Sequence, residues 1–206
     1  MRKTRTKEQQ RIETVAGNAA STGNRILLSR RKLGIMCSQK CPGDVILKVY
    51  DFARMVRGSG LAIVSGFHSP IEKDCLPILL GGSDPIIIVQ AHRLSTSRLP
   101  VDWQRAMDAG RLLLLSPFEE KDKRVTAELA TERNRFVAMI SEEVLIPYAA
   151  PGSKTEALAL ALLASGKHVC TFSDRPGPLH VAGANVVMPD YFVSRAMVRA
   201  PVGGER

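Results

Sequence analysis

Six short apolar runs, each four or five residues long, constrain this chain more than any other feature. They are Leu33–Cys37, Leu61–Val64, Pro85–Val89, Leu112–Leu115, Val144–Pro147 and His168–Phe172. The runs are continuous rather than alternating. A strand with one wet face alternates apolar and polar residues; a strand covered on both faces does not. Between the runs the spacing turns helical. Asp44 reads as the cap of a helix through Val45, Leu47, Val49, Phe52, Ala53 and Val56, closed by Gly58 and Gly60. Ser69-Pro70 opens a second helix that stops at Gly81-Gly82. Further helices are expected over Pro100–Ala109, Asp122–Ile140 and Ser153–Ala164. Residues 174–206 are loop-rich, with room for a last strand at Asn185–Met188 and a short helix at Tyr191–Val198. Strand–helix alternation with short links predicts an α/β, Rossmann-like, doubly wound fold. Its mostly parallel sheet would hold about six or seven strands, with helices on both faces.

Charge divides the chain differently. Of the net +9, residues 1–32 carry nine basic and two acidic groups, a net of +7, which leaves the remainder nearly neutral. Residues 1–30 therefore read as a flexible basic arm, with a helical stretch around Glu8–Val15, and residues 31–200 as one domain. The arm suits a polyanion, because neutralised phosphates release counterions, and it equally suits a solvated tail. Cys37, Cys41, Cys75 and Cys170 show no zinc spacing. Cys75 and Cys170 are expected in the core. No run is long enough to span a membrane, and the basic start lacks the apolar core of a secretory signal. The expectation is a cytoplasmic protein with no membrane role, no metal and no cofactor.

In an open α/β sheet, ligands bind beyond the carboxyl ends of the strands. Three segments are expected there: one with Ser38, Gln39 and Lys40, one with Ser65, Gly66, His68 and Ser69, and one with Gly152, Ser153, Lys154 and Thr155. Each places small or hydroxyl residues before a helix. A helix start offers unpaired N–H groups and roughly half a positive charge, which suits phosphate. Arg133-Asn134-Arg135, in the long helix, adds two guanidinium groups fit for bidentate phosphate contacts or for surface ion pairs with Glu128, Glu132 or Asp122. His68 and Glu72 have the i, i+4 spacing of metal ligands, but no third ligand is evident, so capping or ligand hydrogen bonding is the expected role. Glu119–Arg124 is a charge run expected to be a solvated loop.

The order of these pieces resembles the Rossmann-like core of the DNA-processing protein A family (DprA/Smf). The family's first turn, Gly-Ser-Arg, stands here as Cys37-Ser38-Gln39. Its Ser-Gly strand end is Ser65-Gly66. Its Arg-Asn-Arg with apolar residues and Ser is Arg133-Asn134-Arg135-Phe136-Val137-Ala138-Met139-Ile140-Ser141. Its Ser-Gly-Ser…Thr-Ala helix start is similar to Gly152-Ser153-Lys154-Thr155-Glu156-Ala157, and a Gly166-Lys167-His168-Val169 step follows. Two departures mark a divergent member: Gln39 replaces the turn arginine, and Phe67-His68-Ser69-Pro70-Ile71-Glu72 replaces Ala-Arg-Gly-Ile-Asp. The resemblance implies a non-enzymatic role in DNA uptake or recombination, with single-stranded nucleic acid or nucleotide as ligand, a homodimer, and a recombinase partner. The same superfamily holds enzymes similar to the LOG phosphoribohydrolases. On that alternative, Arg133 or Arg135 and Glu156 would act on a nucleoside monophosphate, or the domain would sense a nucleotide without cleaving it.

Overall fold

The computed structural model describes Ala16 and residues 19–94, 99–118 and 126–198. Each of the six apolar runs holds a strand, and all lie in one sheet. The elements are β1 (Ala20–Gly23), a 3-10 helix (Arg25–Ser29), β2 (Lys32–Ile35), α1 (Gly43–Met55), β3 (Ala62–Ser65) and α2 (Pro70–Leu80). Next come β4 (Ile86–Val89), α3 (Val101–Asp108), β5 (Leu112–Ser116) and α4 (Ala127–Ile140). The chain continues through β6 (Glu143–Leu145), α5 (Lys154–Ala164), β7 (Val169–Thr171), α6 (Pro178–Val181), β8 (Asn185–Val186) and α7 (Tyr191–Val198). The strand order is β1-β5-β4-β3-β2-β6-β7-β8, and every pairing except β1 with β5 is parallel.

The continuous runs mean what their pattern implied. Leu33, Ile63, Ile86, Ile88, Leu112 and Leu114 point into one core layer, with Val45, Val49, Phe52 and Leu79 of the helices. Met36, Val64, Ile87, Val89, Leu113 and Leu115 point into the other, with Val137 and Ile140 of α4. Burying both faces stabilises the sheet by about 1.5–3 kcal/mol per large aliphatic side chain, and no alternation survives in the sequence.

Four expectations need correction. The sheet has eight strands, not six or seven. The extra one, β1, and the 3-10 helix fall inside the stretch read as a flexible arm. Ala20–Gly23 pairs antiparallel with Ser116–Leu113, and Leu27 and Leu28 are buried. Residues 1–15, including the helix expected around Glu8–Val15, lie outside the described residues, as does the charge run at Glu119–Arg124. Asp44 is not a cap: Pro42 holds the N-cap position and Asp44 sits in the first turn, bound to Arg175 at 2.9 Å. The long helix begins at Ala127, capped by Thr126, rather than at Asp122.

α4 lies close over β2. A Cβ on Gly34 would come within 2.9 Å of Ser141 Oγ and 3.2 Å of Val137 Cγ1. The bare glycine lets the helix sit down on the strand, and this fixes where the side chains of its opposite end reach.

Lys32 enters the sheet from the other direction. Its side chain is 2% exposed, and Nζ donates to Leu28 O, Arg30 O and Glu142 Oε1 at 2.7–3.0 Å. It ties the 3-10 helix to the sheet. Lys32→Ala is expected to cost about 3 kcal/mol, because removing one partner of a buried pair strands the groups it served. A urea titration would read this as a lower midpoint with unchanged slope. A midpoint equal to that of the parent chain would show that the ammonium group holds nothing.

Candidate functional site

The strand order reverses at β2, which has β3 on one side and β6 on the other. Loops leaving neighbouring strands at such a point diverge and leave a crevice. Here it is a cleft of 570 Å³. The loop after β2 is held down by Ser38. Its N–H donates to Tyr148 O at 3.2 Å, and its Oγ accepts from Ala150 N at 2.8 Å and lies 3.2 Å from Ser153 Oγ. The β2 and β6 loops are thereby stitched across the switch point.

Three helices start at this cleft. Ser69 caps α2, Thr126 caps α4 and Ser153 caps α5, each accepting from a backbone N–H within its helix's first turn. All three cap residues line the cleft. Sequence reasoning had the α1 start in place of α4; the α1 start is turned aside, with Asp44 paired to Arg175. That contact holds the Asp44 carboxyl below the usual carboxylate range.

Arg133 projects from α4 into the same space. It is 4% exposed, yet it lines the cleft. Its Nε donates to Asn134 Oδ1 at 2.8 Å. Among the described residues it makes no ion pair. Burial pushes its pKa below the ordinary guanidinium value, with the Glu72 charge opposing; a guanidinium stays cationic regardless. The group lies against Gly66, where an added Cβ would fall 1.6 Å from Arg133 Nη1. Glycine is required at this point by the close approach, not by its backbone angles.

Beneath Arg133 sits Glu72, 5% exposed. Its Oε1 accepts from Cys37 N at 2.9 Å and Ser69 Oγ at 2.7 Å. Its Oε2 accepts from Ser65 Oγ at 3.0 Å and His68 N at 3.1 Å. Ser65 Oγ also accepts from Phe67 N at 3.0 Å. Phe67 has φ of 46°, a left-handed conformation uncommon for a bulky residue. Glu72 therefore fixes the loops after both β2 and β3. Burial, with the Arg133 and Lys73 charges, lowers the His68 pKa, so its imidazole is neutral at pH 7.

The structure brings together Ser38, Gln39, Lys40, His68, Ser69, Arg133, Asn134, Ser153, Lys154 and Thr155 at the cleft. Ser65 is wholly buried, behind the wall, and Gly66 lies under Arg133. Arg135 faces away, along a groove with Glu128 and Glu132. Gly152 does not line the cleft; its N–H donates to Glu156 at 2.7 Å. Glu156 itself borders a different pocket, of 180 Å³, with Arg175 and His180. The pair Arg133 and Glu156 is thus not assembled at one cleft. Lys154 lies 3.7 Å from Glu128, both well exposed; such a pair is weak and leaves the ammonium free to turn to a ligand. Glu72 was expected, with His68, in a capping or ligand hydrogen-bonding role; its anchoring of two loops was not, although Ser69-x-x-Glu72 is a capping-box spacing. Thr126 went unseen because the helix start was placed too early.

A family model described as DNA recombination-mediator protein A matches residues 15–191. No curated protein matches the chain in sequence. Among solved structures, DNA processing protein A from Streptococcus pneumoniae superposes with a TM-score of 0.67 at 21% identity, over 85% of this chain and 64% of that one. DNA processing protein A from Helicobacter pylori, described for its single-stranded DNA binding mode, superposes with a TM-score of 0.68 at 20% identity, over 86% of each chain. The molybdenum cofactor binding protein of Rippkaea orientalis gives 0.53 at 12% identity, over 82% of this chain and 96% of that one. These likenesses are of fold. Among the described residues, no helix is long and apolar enough to cross a membrane.

Proposed function

From the chain's membership of the DNA recombination-mediator protein A family, we propose that it binds single-stranded DNA through backbone phosphate held in the cleft between the β2, β3 and β6 loops. One observation carries the reading. Arg133 is a buried cation that lines the cleft, its Nε bonded to Asn134 and no ion pair formed among the described residues. A buried guanidinium with no carboxylate in ion-pair contact is costly, and a phosphate entering the cleft supplies close negative charge and paired acceptors. Three helix starts surround that position, and Lys40 and Lys154 stand at the rim. The H. pylori relative is described as binding single-stranded DNA, which agrees with a strand rather than a free nucleotide. A role in DNA uptake or recombination, self-association and a recombinase partner belong to the same proposal. The nucleotide-hydrolase alternative finds less support, since Glu156 lies at another pocket.

Affinity for a short single-stranded oligonucleotide is expected to fall steeply with salt, with a log–log slope of about −0.7 for each phosphate neutralised. Fluorescence anisotropy between low and moderate salt measures it. Absent or salt-independent binding would overturn the reading.

Gly66→Ala gives a sharper test. Its φ is not positive, and the atoms that meet the new methyl are the free end of Arg133. The chain should stay folded while the guanidinium is displaced. Binding is expected to weaken about tenfold, the effect of losing one charged hydrogen bond. Parent affinity in Gly66→Ala would show that the position of Arg133 does not matter.

A further inference from the structure

We propose that the pocket bordered by Glu156 and His180 is a nucleobase site, which takes an amino-bearing base, cytosine or adenine, from the strand whose phosphate sits in the neighbouring cleft. The inference rests on the proposed nucleic-acid reading and adds a base preference to it.

The pocket lies past the carboxyl ends of β6 and β7, and one loop separates it from the cleft. Tyr148, Ala149, Pro151 and Glu156 of that loop line the pocket, whereas Ala150, Ser153, Lys154 and Thr155 line the cleft. Ala149 and Ala150, whose Cα atoms are about 3.8 Å apart as neighbours in the chain, thus border different cavities. A strand held by its phosphate on one side of the loop meets the pocket on the other. The pocket volume of 180 Å³ falls short of the about 300–1,000 Å³ of sites for drug-sized ligands. It suits one ring system rather than a whole nucleotide. Pro151, Pro176, Pro178 and Leu179 give it apolar walls, and proline has almost no rotamer freedom to lose when a ring packs on it.

The polar groups select against phosphate and in favour of a base edge. Arg175 is the one guanidinium or ammonium group among the described residues that line the pocket, and it is already paired with Asp44 at 2.9 Å. A phosphate there would meet the Glu156 carboxylate with no unpaired cation to offset it. Oε2 of Glu156 accepts from Gly152 N at 2.7 Å, and Oε1 accepts nothing among the described residues. Nε2 of His180 is shielded from solvent and has no hydrogen-bond partner among the described residues. Such an atom is costly unless a ligand completes it. The two groups match one edge of a base. A carboxylate accepts from the exocyclic amino group of cytosine or adenine. An imidazole with its proton on Nε2 donates to the ring nitrogen beside that amino group. Thymine carries a carbonyl oxygen where cytosine has the amino group, and a carboxylate repels it.

The test titrates the full chain by fluorescence anisotropy with oligo-dC, oligo-dA and oligo-dT of equal length, at one salt concentration and neutral pH. Oligo-dC is expected to bind about tenfold more tightly than oligo-dT, the discrimination that a well-placed base contact supplies. Oligo-dA should also exceed oligo-dT, and an oligo-dA no better than oligo-dT would overturn the assigned edge. His180→Phe keeps a ring and puts carbon in place of the unpartnered nitrogen, so it should cut the preference for oligo-dC severalfold. Glu156→Ala should abolish it. All probes see the same fraction of folded chain, so the ratio of affinities reports the pocket even where a variant is destabilised. Deoxycytidine monophosphate should displace oligo-dC only at far higher concentration, because it brings a single phosphate. Displacement at equal concentration would make a free nucleotide the ligand and overturn the strand. Equal affinity of the parent chain for oligo-dC and oligo-dT, or the parent ratio retained in both variants, overturns the base pocket and leaves phosphate binding standing. Absence of binding to every oligonucleotide would sink the nucleic-acid reading itself, and this inference with it.

Discussion

Arg133→Met is expected to weaken single-stranded oligonucleotide binding by about 10- to 100-fold, since charged hydrogen bonds are worth about 1.5–3 kcal/mol and 1.4 kcal/mol is tenfold. The fold should remain as stable as in the parent chain, or become more so. The two halves follow from one fact. The guanidinium is 4% exposed and has no counter-ion among the described residues. The nearby Glu72 charge returns only part of the desolvation cost, so an apolar chain of similar length removes a burden from the folded state. The same group is the one buried cation at the cleft among the described residues, so its removal takes the ligand's strongest contact. Arg133→Lys separates charge from shape. An ammonium keeps the charge but cannot present two parallel donors, so it should recover only part of the affinity. Thermal melts beside anisotropy titrations read both quantities. A variant that loses stability in step with binding would show Arg133 to be structural and would remove the chief support for the site.

The fold was legible because the six central strands are buried on both faces, and burial writes itself into sequence as uninterrupted apolar runs. β1 was not legible, for the converse reason. Ala20–Gly23 has the burial pattern of an edge strand and offers no apolar period; its conformation is imposed by the free edge of β5. The cleft was half legible. Small and hydroxyl residues before a helix mark an anion-binding geometry, and two of the three expected helix starts, at Ser69 and Ser153, do face the cleft. The α1 start fails because Arg175, more than a hundred residues away, takes Asp44, and no local pattern records that. Arg135 and Arg133 look alike in sequence. Two residues on a helix turn through about 200°, so only one of them can enter the cleft, and which one depends on how α4 sits on Gly34.

Glu72 shows most clearly how a residue can be noticed in sequence and its main work still be missed, because that work is to hold loops rather than ligand. Glu72→Ala is expected to destabilise the chain by about 3–5 kcal/mol. Four donors converge on this carboxylate. The hydroxyls of Ser65 and Ser69 can rotate to other acceptors, but the Cys37 and His68 N–H groups are fixed by the backbone. Each stranded buried donor costs about 1–3 kcal/mol. The loss also releases Phe67, whose left-handed backbone costs about 1–3 kcal/mol and persists only while its surroundings hold it there. Glu72→Gln separates acceptance from packing. The amide fills the same space, but its NH₂ must face two of those donors, so it should recover less than half of the loss. For a chain of this length a loss of this size lowers Tm by about 10 °C. Binding should fall with it even at temperatures where both variants are folded, because the β2 and β3 loops that carry Ser38 and His68 no longer share an anchor. A Glu72→Ala chain that melts with the parent would mean that water replaces the carboxylate, and that the cleft is organised by its helix starts alone.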